Sequence, residues 1–217
     1  DGIIENNKQL NNLNLTVISD KKTETNNLIS MGLTAHEILE KVPEDTEIIG
    51  FSCMFSTNWL LDRDLIDLIG SERPKAICIA GGESITSMFE ICLKQSKQLK
   101  ICVLGEGEET ISELLKTIEN DQPLETVDGI SYKQNGVIKT NARRKRLKTL
   151  EDIPIPPWEL FHVEKYQRHR SKSTDAENRI TLPILATRGC PYSCTFCTSP
   201  DMWGTRYYMR SPTPVAN

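Results

Sequence analysis

The stretch AICIAGGESITSMFEICLKQ, residues 76–95, decides the fold. Its first part, AICIAGG (76–82), is a short apolar run that reads as a strand. GGES (81–84) follows as a small, glycine-rich loop, and SMFEICLKQ (87–95) carries apolar residues at helical spacing. The same unit recurs on either side. Strand-like runs are LNLTVIS (13–19), EIIGFSC (47–53) and KICVLGE (100–106). Amphipathic helical stretches are TAHEILEKV (34–42), NWLLDRDLIDLIGS (58–71) and EETISELLKTIE (108–119), the first opened by a Thr34/Glu37 capping box. Strands that alternate with helices predict an α/β fold with a parallel sheet covered on both faces. The runs are apolar nearly throughout, as strands buried on two faces must be.

In such a sheet ligands bind outside the carboxyl ends of the strands. The loops SCMFST (52–57), GGES (81–84) and GEGEET (105–110) all fall there. Gly81, Gly82, Gly105 and Gly107 would let a bulky ligand approach the backbone, although glycine at a strand end also serves ordinary turns. GEGEET is not the dinucleotide fingerprint, and no P-loop lysine is present.

The chain of 217 residues is 38% hydrophobic and 26% charged, which is ordinary for a globular protein of one or two domains. No apolar run is long enough for a transmembrane helix, and DGIIENNKQL (1–10) has no signal-peptide pattern. The missing initiator Met, and an end directly after the cysteine motif, read as cut termini. Net charge is −4, split into −10 over residues 1–140 and +6 over 141–217. The basic run RRKRLK (143–148) lacks interleaved aromatics, so it reads as a solvated connector rather than a nucleic-acid patch.

Beyond residue 120 the pattern changes. DGISYKQNGVIKT (128–140) reads as a hairpin around Asn135-Gly136. EDIPIPPWELF (151–161) reads as a proline-rich junction ending in a short helix, and the polar RHRSKSTDAENR (168–179) reads as a mobile loop. ITLPILATRG (180–189) reads as a strand that delivers TRGCPYSCTFCTSP (187–200). The predicted domains are 1–125, an α/β domain; 126–178, a hairpin and connector; and 179–217, the start of a further domain.

Seven cysteines without a secretion signal argue against a disulfide framework and for a reducing, cytoplasmic setting. Cys53, Cys78, Cys92 and Cys102 lie in apolar runs and read as core. Cys190, Cys194 and Cys197 cluster. Structural zinc wants four protein ligands, typically in two separated pairs, and catalytic zinc rarely takes three thiolates from one loop. An iron–sulfur cluster usually takes four cysteines, so three would leave one iron open to a substrate or cofactor.

The spacing Cys190-x-x-x-Cys194-x-Phe196-Cys197 resembles the signature of radical S-adenosylmethionine enzymes. The resemblance implies that these three cysteines hold a [4Fe–4S] cluster whose fourth iron is chelated by S-adenosylmethionine. It also implies a small-molecule substrate and a reducing electron donor such as flavodoxin or ferredoxin, with neither nucleic acid nor a membrane span. Upstream, GFSCMFS (50–56), AGGES (80–84), LGEGEET (104–110), DGISY (128–132) and IPIPPWELF (153–161) resemble, in order, the cobalamin-binding domain that precedes the radical domain in one large subgroup. That subgroup includes hopanoid methylases and the anaerobic magnesium-protoporphyrin monomethyl ester cyclase. The implied fold is a Rossmann-like (flavodoxin-like) cobalamin domain followed by the truncated start of a partial (β/α) barrel.

By the same resemblance, cobalamin would contact Ser52, Ser56, Gly81, Gly82, Gly105, Glu106 and Gly107, while Phe196 packs beside the cluster or adenine or serves as a core aromatic. Tyr192, Trp203, Tyr207 and Tyr208 line the adjacent pocket or pack against its wall. The Asp-x-His-x-x-Gly cobalt-ligand loop is absent, the first strand that would carry it reads as missing, and His36 reads as an ordinary helix residue. The implied reaction is C-methylation of an unactivated carbon, or oxidative ring closure, with this piece alone inactive. A zinc-ribbon binding module that touches RNA through 143–148 is the reading of a different class.

Overall fold

In a computed structural model of the chain the described residues are 22–25, 28–31, 33–161 and 182–216. The predicted strand 13–19 and loop 168–179 lie outside them. Two compact units are formed. The unit of residues 1–43 and 154–185 contains a hairpin, β1 (Lys22–Thr25) with β2 (Leu28–Met31), and helix α1 (Ala35–Lys41). The capping box at α1 is formed on both sides. The Glu37 amide donates to Thr34 Oγ1 at 3.3 Å, and the Thr34 amide donates to Glu37 Oε2 at 2.9 Å. His36 is exposed on this helix.

The second unit, 44–153 with 186–217, contains a five-stranded sheet. Strands β3 (Ile48–Ser52), β4 (Ile77–Gly81) and β5 (Leu99–Val103) run parallel and in that order. The connections are helices α2 (Trp59–Glu72) and α3 (Glu83–Gln95), and α4 (Gly107–Glu119) follows β5. The predicted hairpin forms as β6 (Ile130–Gln134) and β7 (Val137–Thr140), joined at Asn135-Gly136, both with positive φ. It does not stand apart as a connector: β6 pairs antiparallel with β5, placing Tyr132 opposite Ile101 and Ile130 opposite Val103. The sheet is therefore mostly parallel with an antiparallel edge.

Alternation within the apolar strands builds two cores. Cys78, Ala80 and Cys102 face Ile66 of α2 and Ile85, Cys92 and Leu93 of α3. Ile79, Ile101 and Val103 join Ile130, Tyr132 and Leu114 of α4 on the opposite side. Each of Ile66, Ile85, Leu93, Leu99, Leu114 and Ile130 is fully buried. Burial of such a side chain contributes about 1.5–3 kcal/mol, so this three-layer sandwich is the rigid support for everything at its carboxyl edge.

The predicted strand 180–189 is corrected. Residues 182–186 have no regular structure, and only β8 (Thr187–Arg188) pairs, antiparallel with β9 (Tyr208–Met209). Pro183 lacks a donor and Pro191 follows closely, which leaves little chain able to hold a ladder. Between β8 and β9 lies a short helix, α5 (Ser199–Trp203), and α6 (Pro212–Ala216) follows β9.

Candidate cofactor site at the carboxyl edge of the sheet

The three loops named from sequence meet at one edge. Ser52 stands opposite Gly81 in register, and the Cys53 amide donates to the Gly81 carbonyl at 2.8 Å. Ser52 and Ser56 are exposed, and Gly81 and Gly82 are half-buried beside them. Gly82 has φ +110°, and a Cβ there would lie 2.6 Å from the Cys53 carbonyl oxygen, so the two loops touch backbone to backbone. Gly81 is different: a Cβ would find only Val103, at 3.6 Å, an ordinary contact. Next to it, the Ser84 hydroxyl is buried at the start of α3 without a hydrogen-bond partner. A buried, orphaned hydroxyl at the first turn of a helix is chemically suited to a polar ligand group arriving at this edge.

The third loop is partly occupied by the chain itself. The Gly105 amide donates to Thr86 Oγ1 at 3.0 Å, and the Met202 carbonyl lies 3.6 Å from where a Gly105 Cβ would be. Glu106, a cofactor candidate from sequence, is 8% exposed and spends its carboxylate on protein groups. Its Oε2 accepts the Leu147 amide at 2.8 Å, and its Oε1 lies 3.4 Å from the Arg188 guanidinium. Gly107 is the first residue of α4 and half-buried.

The arginines of the basic run 143–148 bond to protein groups, while Arg143, Lys145 and Lys148 keep exposed surface. Arg143 donates to the Asp201 carbonyl, and Arg144 to Glu113 and to Thr110 Oγ1. Arg146 donates to the Arg206 carbonyl and lies over the Tyr208 ring at 4.7 Å. These arginines fasten the cysteine segment and the connector to the sheet domain. Sequence reasoning missed this because every partner is distant in the chain and none is marked by a local motif.

The three clustered cysteines share one loop. Cys190 is half-buried, and Cys194 and Cys197 are exposed. A turn closes between them, the Cys197 amide donating to the Cys194 carbonyl at 3.1 Å. The Ser199 amide donates to Cys197 Sγ at 3.4 Å, the kind of N–H···S contact that tunes a metal-bound thiolate. Among the described residues, no group of three or more His, Cys, Asp and Glu side chains converges as a metal ion requires. Phe196 is 90% exposed. Tyr192 and Tyr207 are exposed as well, whereas Trp203 donates to Glu83 Oε1 at 3.3 Å and carries Arg188 on its face.

The other four thiols are the expected core residues. Burial, with Asp62 adding to it, pushes Cys53 up to about 12. Burial likewise takes Cys78 and Cys92 to about 11 and raises Cys102 strongly. Held as neutral thiols in the sheet core, they offer no fourth ligand to the loop. Iodoacetamide at about pH 8 is expected to label Cys190, Cys194 and Cys197 in the iron-free native protein, and the remaining four only after unfolding. Peptide mass spectrometry over a labelling time course reads this directly; early labelling of Cys92 or Cys102 would contradict it.

Three comparisons bear on this arrangement. A family model described as the B12 binding domain matches residues 12–115. An anaerobic magnesium-protoporphyrin IX monomethyl ester cyclase of Synechocystis is 30% identical over 188 residues, 85% of this chain and 36% of that protein. An uncharacterized methyltransferase of Pyrococcus horikoshii is 27% identical over 164 residues, 75% of this chain and 34% of that protein. The solved structure of the cobalamin-dependent S-adenosylmethionine radical enzyme OxsB, with aqua-cobalamin and S-adenosylmethionine bound, superposes with a TM-score of 0.62 at 27% identity. That likeness covers 82% of this chain and 23% of that one. The chain thus spans about a third of the length of the curated relatives it matches. No helix among the described residues is long and apolar enough to cross a membrane.

Proposed function

We propose, for a chain that carries the B12-binding domain of the cobalamin-dependent radical S-adenosylmethionine proteins, that the whole protein is an enzyme methylating an unactivated carbon of a small molecule. The observation that carries the reading is the donor set. Three accessible thiols stand on one loop, and the four others are buried as neutral groups. That set fits a [4Fe–4S] cluster with one iron left for S-adenosylmethionine. When bound, such a cluster supplies the electron that cleaves S-adenosylmethionine to a 5′-deoxyadenosyl radical, and cobalamin supplies a transferable methyl group.

The chain's own part is binding and orientation. Cys190, Cys194 and Cys197 would hold the cluster. Ser52, Ser56 and Gly81 offer small and polar surface where the corrin or its nucleotide tail would lie, beside the buried, unpartnered Ser84 hydroxyl. Gly82 keeps the two loops in contact, and Glu106, in the loop where cobalamin would lie, holds the Leu147 amide and Arg188 with its carboxylate. Exposed Phe196 is free to pack on a bound adenine or cluster. A reducing donor such as flavodoxin or ferredoxin would deliver the electron. The similarity to a cyclase favours oxidative ring closure as the second reading.

The test uses the full-length protein, reconstituted anaerobically with iron, sulfide and cobalamin. A reduced [4Fe–4S] EPR signal that changes on adding S-adenosylmethionine is expected, together with stoichiometric corrin. About one zinc per chain, with neither iron spectrum nor corrin, overturns the reading in favour of a zinc-binding module.

A further inference from the structure

A set of buried charges ties the cysteine loop to the carboxyl edge of the sheet. Arg188, two residues before Cys190, is 8% exposed. Its guanidinium meets Glu106 at 3.4 Å, donates to Glu108, and lies 5.0 Å from the centre of the Trp203 ring. Glu106 also faces Arg146, with Nε at 3.7 Å. On the far side of the loop, Trp203 reaches Glu83, and Thr86 Oγ1 lies 3.4 Å from Met202 Sδ. Both flanks of the cysteine loop are therefore anchored on the loops after β4 and β5, where the corrin contacts were placed.

The network is not fully satisfied. Arg188 Nε, Arg146 Nε and one of its terminal nitrogens, and Glu108 Oε2 are all buried without a hydrogen-bond partner. A complete buried network locks one arrangement, whereas an incomplete one has polar groups that a different arrangement can satisfy better. Among the described residues the thiols on the same loop do not converge on a common centre, and a cluster would need them gathered.

We propose that the Glu106–Arg188 pair couples the two cofactor places, so that cobalamin at the sheet edge favours the loop arrangement that gathers Cys190, Cys194 and Cys197, and the cluster in turn tightens cobalamin. This rests on the reading in the preceding subsection. Arg188 is a positioning residue: it acts on the loop through Glu106, Glu108 and Trp203. Coupling of this kind is reciprocal by thermodynamic necessity.

The experiment titrates hydroxocobalamin anaerobically, by absorbance, into iron-free and cluster-loaded full-length protein. Wild type, Arg188→Gln and Arg188→Lys are compared. Wild type is expected to bind corrin about tenfold tighter with the cluster present, within the usual range for coupled sites. In Arg188→Gln the ratio of the two dissociation constants falls to about one, and Arg188→Lys restores part of it. Iron uptake at limiting iron, with and without cobalamin, should show the same loss of coupling. A merely structural role weakens both dissociation constants by one factor and leaves their ratio at the wild-type value, which overturns the proposal. A wild-type ratio of one overturns it too. If Arg188→Gln does not fold, Glu106→Gln gives the same comparison, because its side-chain oxygen still accepts the Leu147 amide. Failure of wild type to take up corrin or iron at all is a separate result that removes the underlying reading and this proposal with it.

Discussion

Gly189→Ala is expected to abolish cluster assembly in the full-length protein while sparing the cobalamin-binding sheet. Gly189 precedes Cys190 and has φ +95°, where an L side chain is strained by roughly 1–2 kcal/mol. Strain is the smaller part. A Cβ at this position would overlap the carbonyl oxygen of Arg206, in the segment leading to β9, and would press on the Arg146 guanidinium. A backbone oxygen cannot rotate away, so β8 must separate from β9, which it meets in only two residue pairs. The Arg146 bond to the Arg206 carbonyl is lost in the same movement. Iron per chain after anaerobic reconstitution should fall from about four towards none. Hydrogen exchange should rise over 186–210 and stay unchanged in β3, β4 and β5, because Gly189 belongs to neither apolar core. Normal iron loading in Gly189→Ala would mean that this loop can be held without the β8–β9 ladder.

How much of this was legible in the sequence follows from the range of each signal. Strands β3 to β5 were readable because each is a short, mostly apolar run followed closely by small or glycine-rich residues, a local pattern. The hairpin was readable from Asn135-Gly136. Its attachment to β5 was not, since the pairing of Tyr132 with Ile101 is a match between residues 31 apart that no local spacing encodes. Helix α3 starts at Glu83, a turn earlier than the amphipathic pattern shows, because Ser84, Ile85 and Thr86 are buried first-turn residues rather than a polar loop. The cysteine spacing was legible for the reason that makes it useful: one short loop carries all three thiols. Glu106 was singled out for its place in a glycine-rich loop, and its partner Arg188 lies 82 residues away. Its place at the carboxyl edge of the sheet was readable from that motif; what the carboxylate bonds to was not.

Two adjacent glycines should separate support of the fold from contact with the ligand. In Gly82→Ala the new methyl meets the Cys53 carbonyl oxygen at 2.6 Å and its carbon at 3.1 Å, and the backbone keeps φ +110°. Left-handed strain of about 1–2 kcal/mol adds to an overpacking cost of about 1–3 kcal/mol. Relief requires β3 and β4 to part where the Cys53 amide bonds the Gly81 carbonyl. An apparent melting temperature lower by about 10 °C is expected, whether or not cobalamin is present. In Gly81→Ala the methyl meets only Val103 at ordinary contact distance, so the iron-free, corrin-free protein should melt as wild type does. If the corrin or its tail packs on that edge, the same methyl occupies space the ligand needs, and cobalamin affinity should drop by about tenfold or more, the equivalent of one small steric conflict of roughly 1.4 kcal/mol. Differential scanning fluorimetry and a cobalamin titration on the two variants read the two effects separately. A Gly81→Ala protein that melts normally and binds cobalamin normally would move the corrin contact away from β4, towards Ser52 and Ser56 after β3. A Gly82→Ala protein that melts normally would show that the Cys53 loop yields more easily than backbone packed on backbone should.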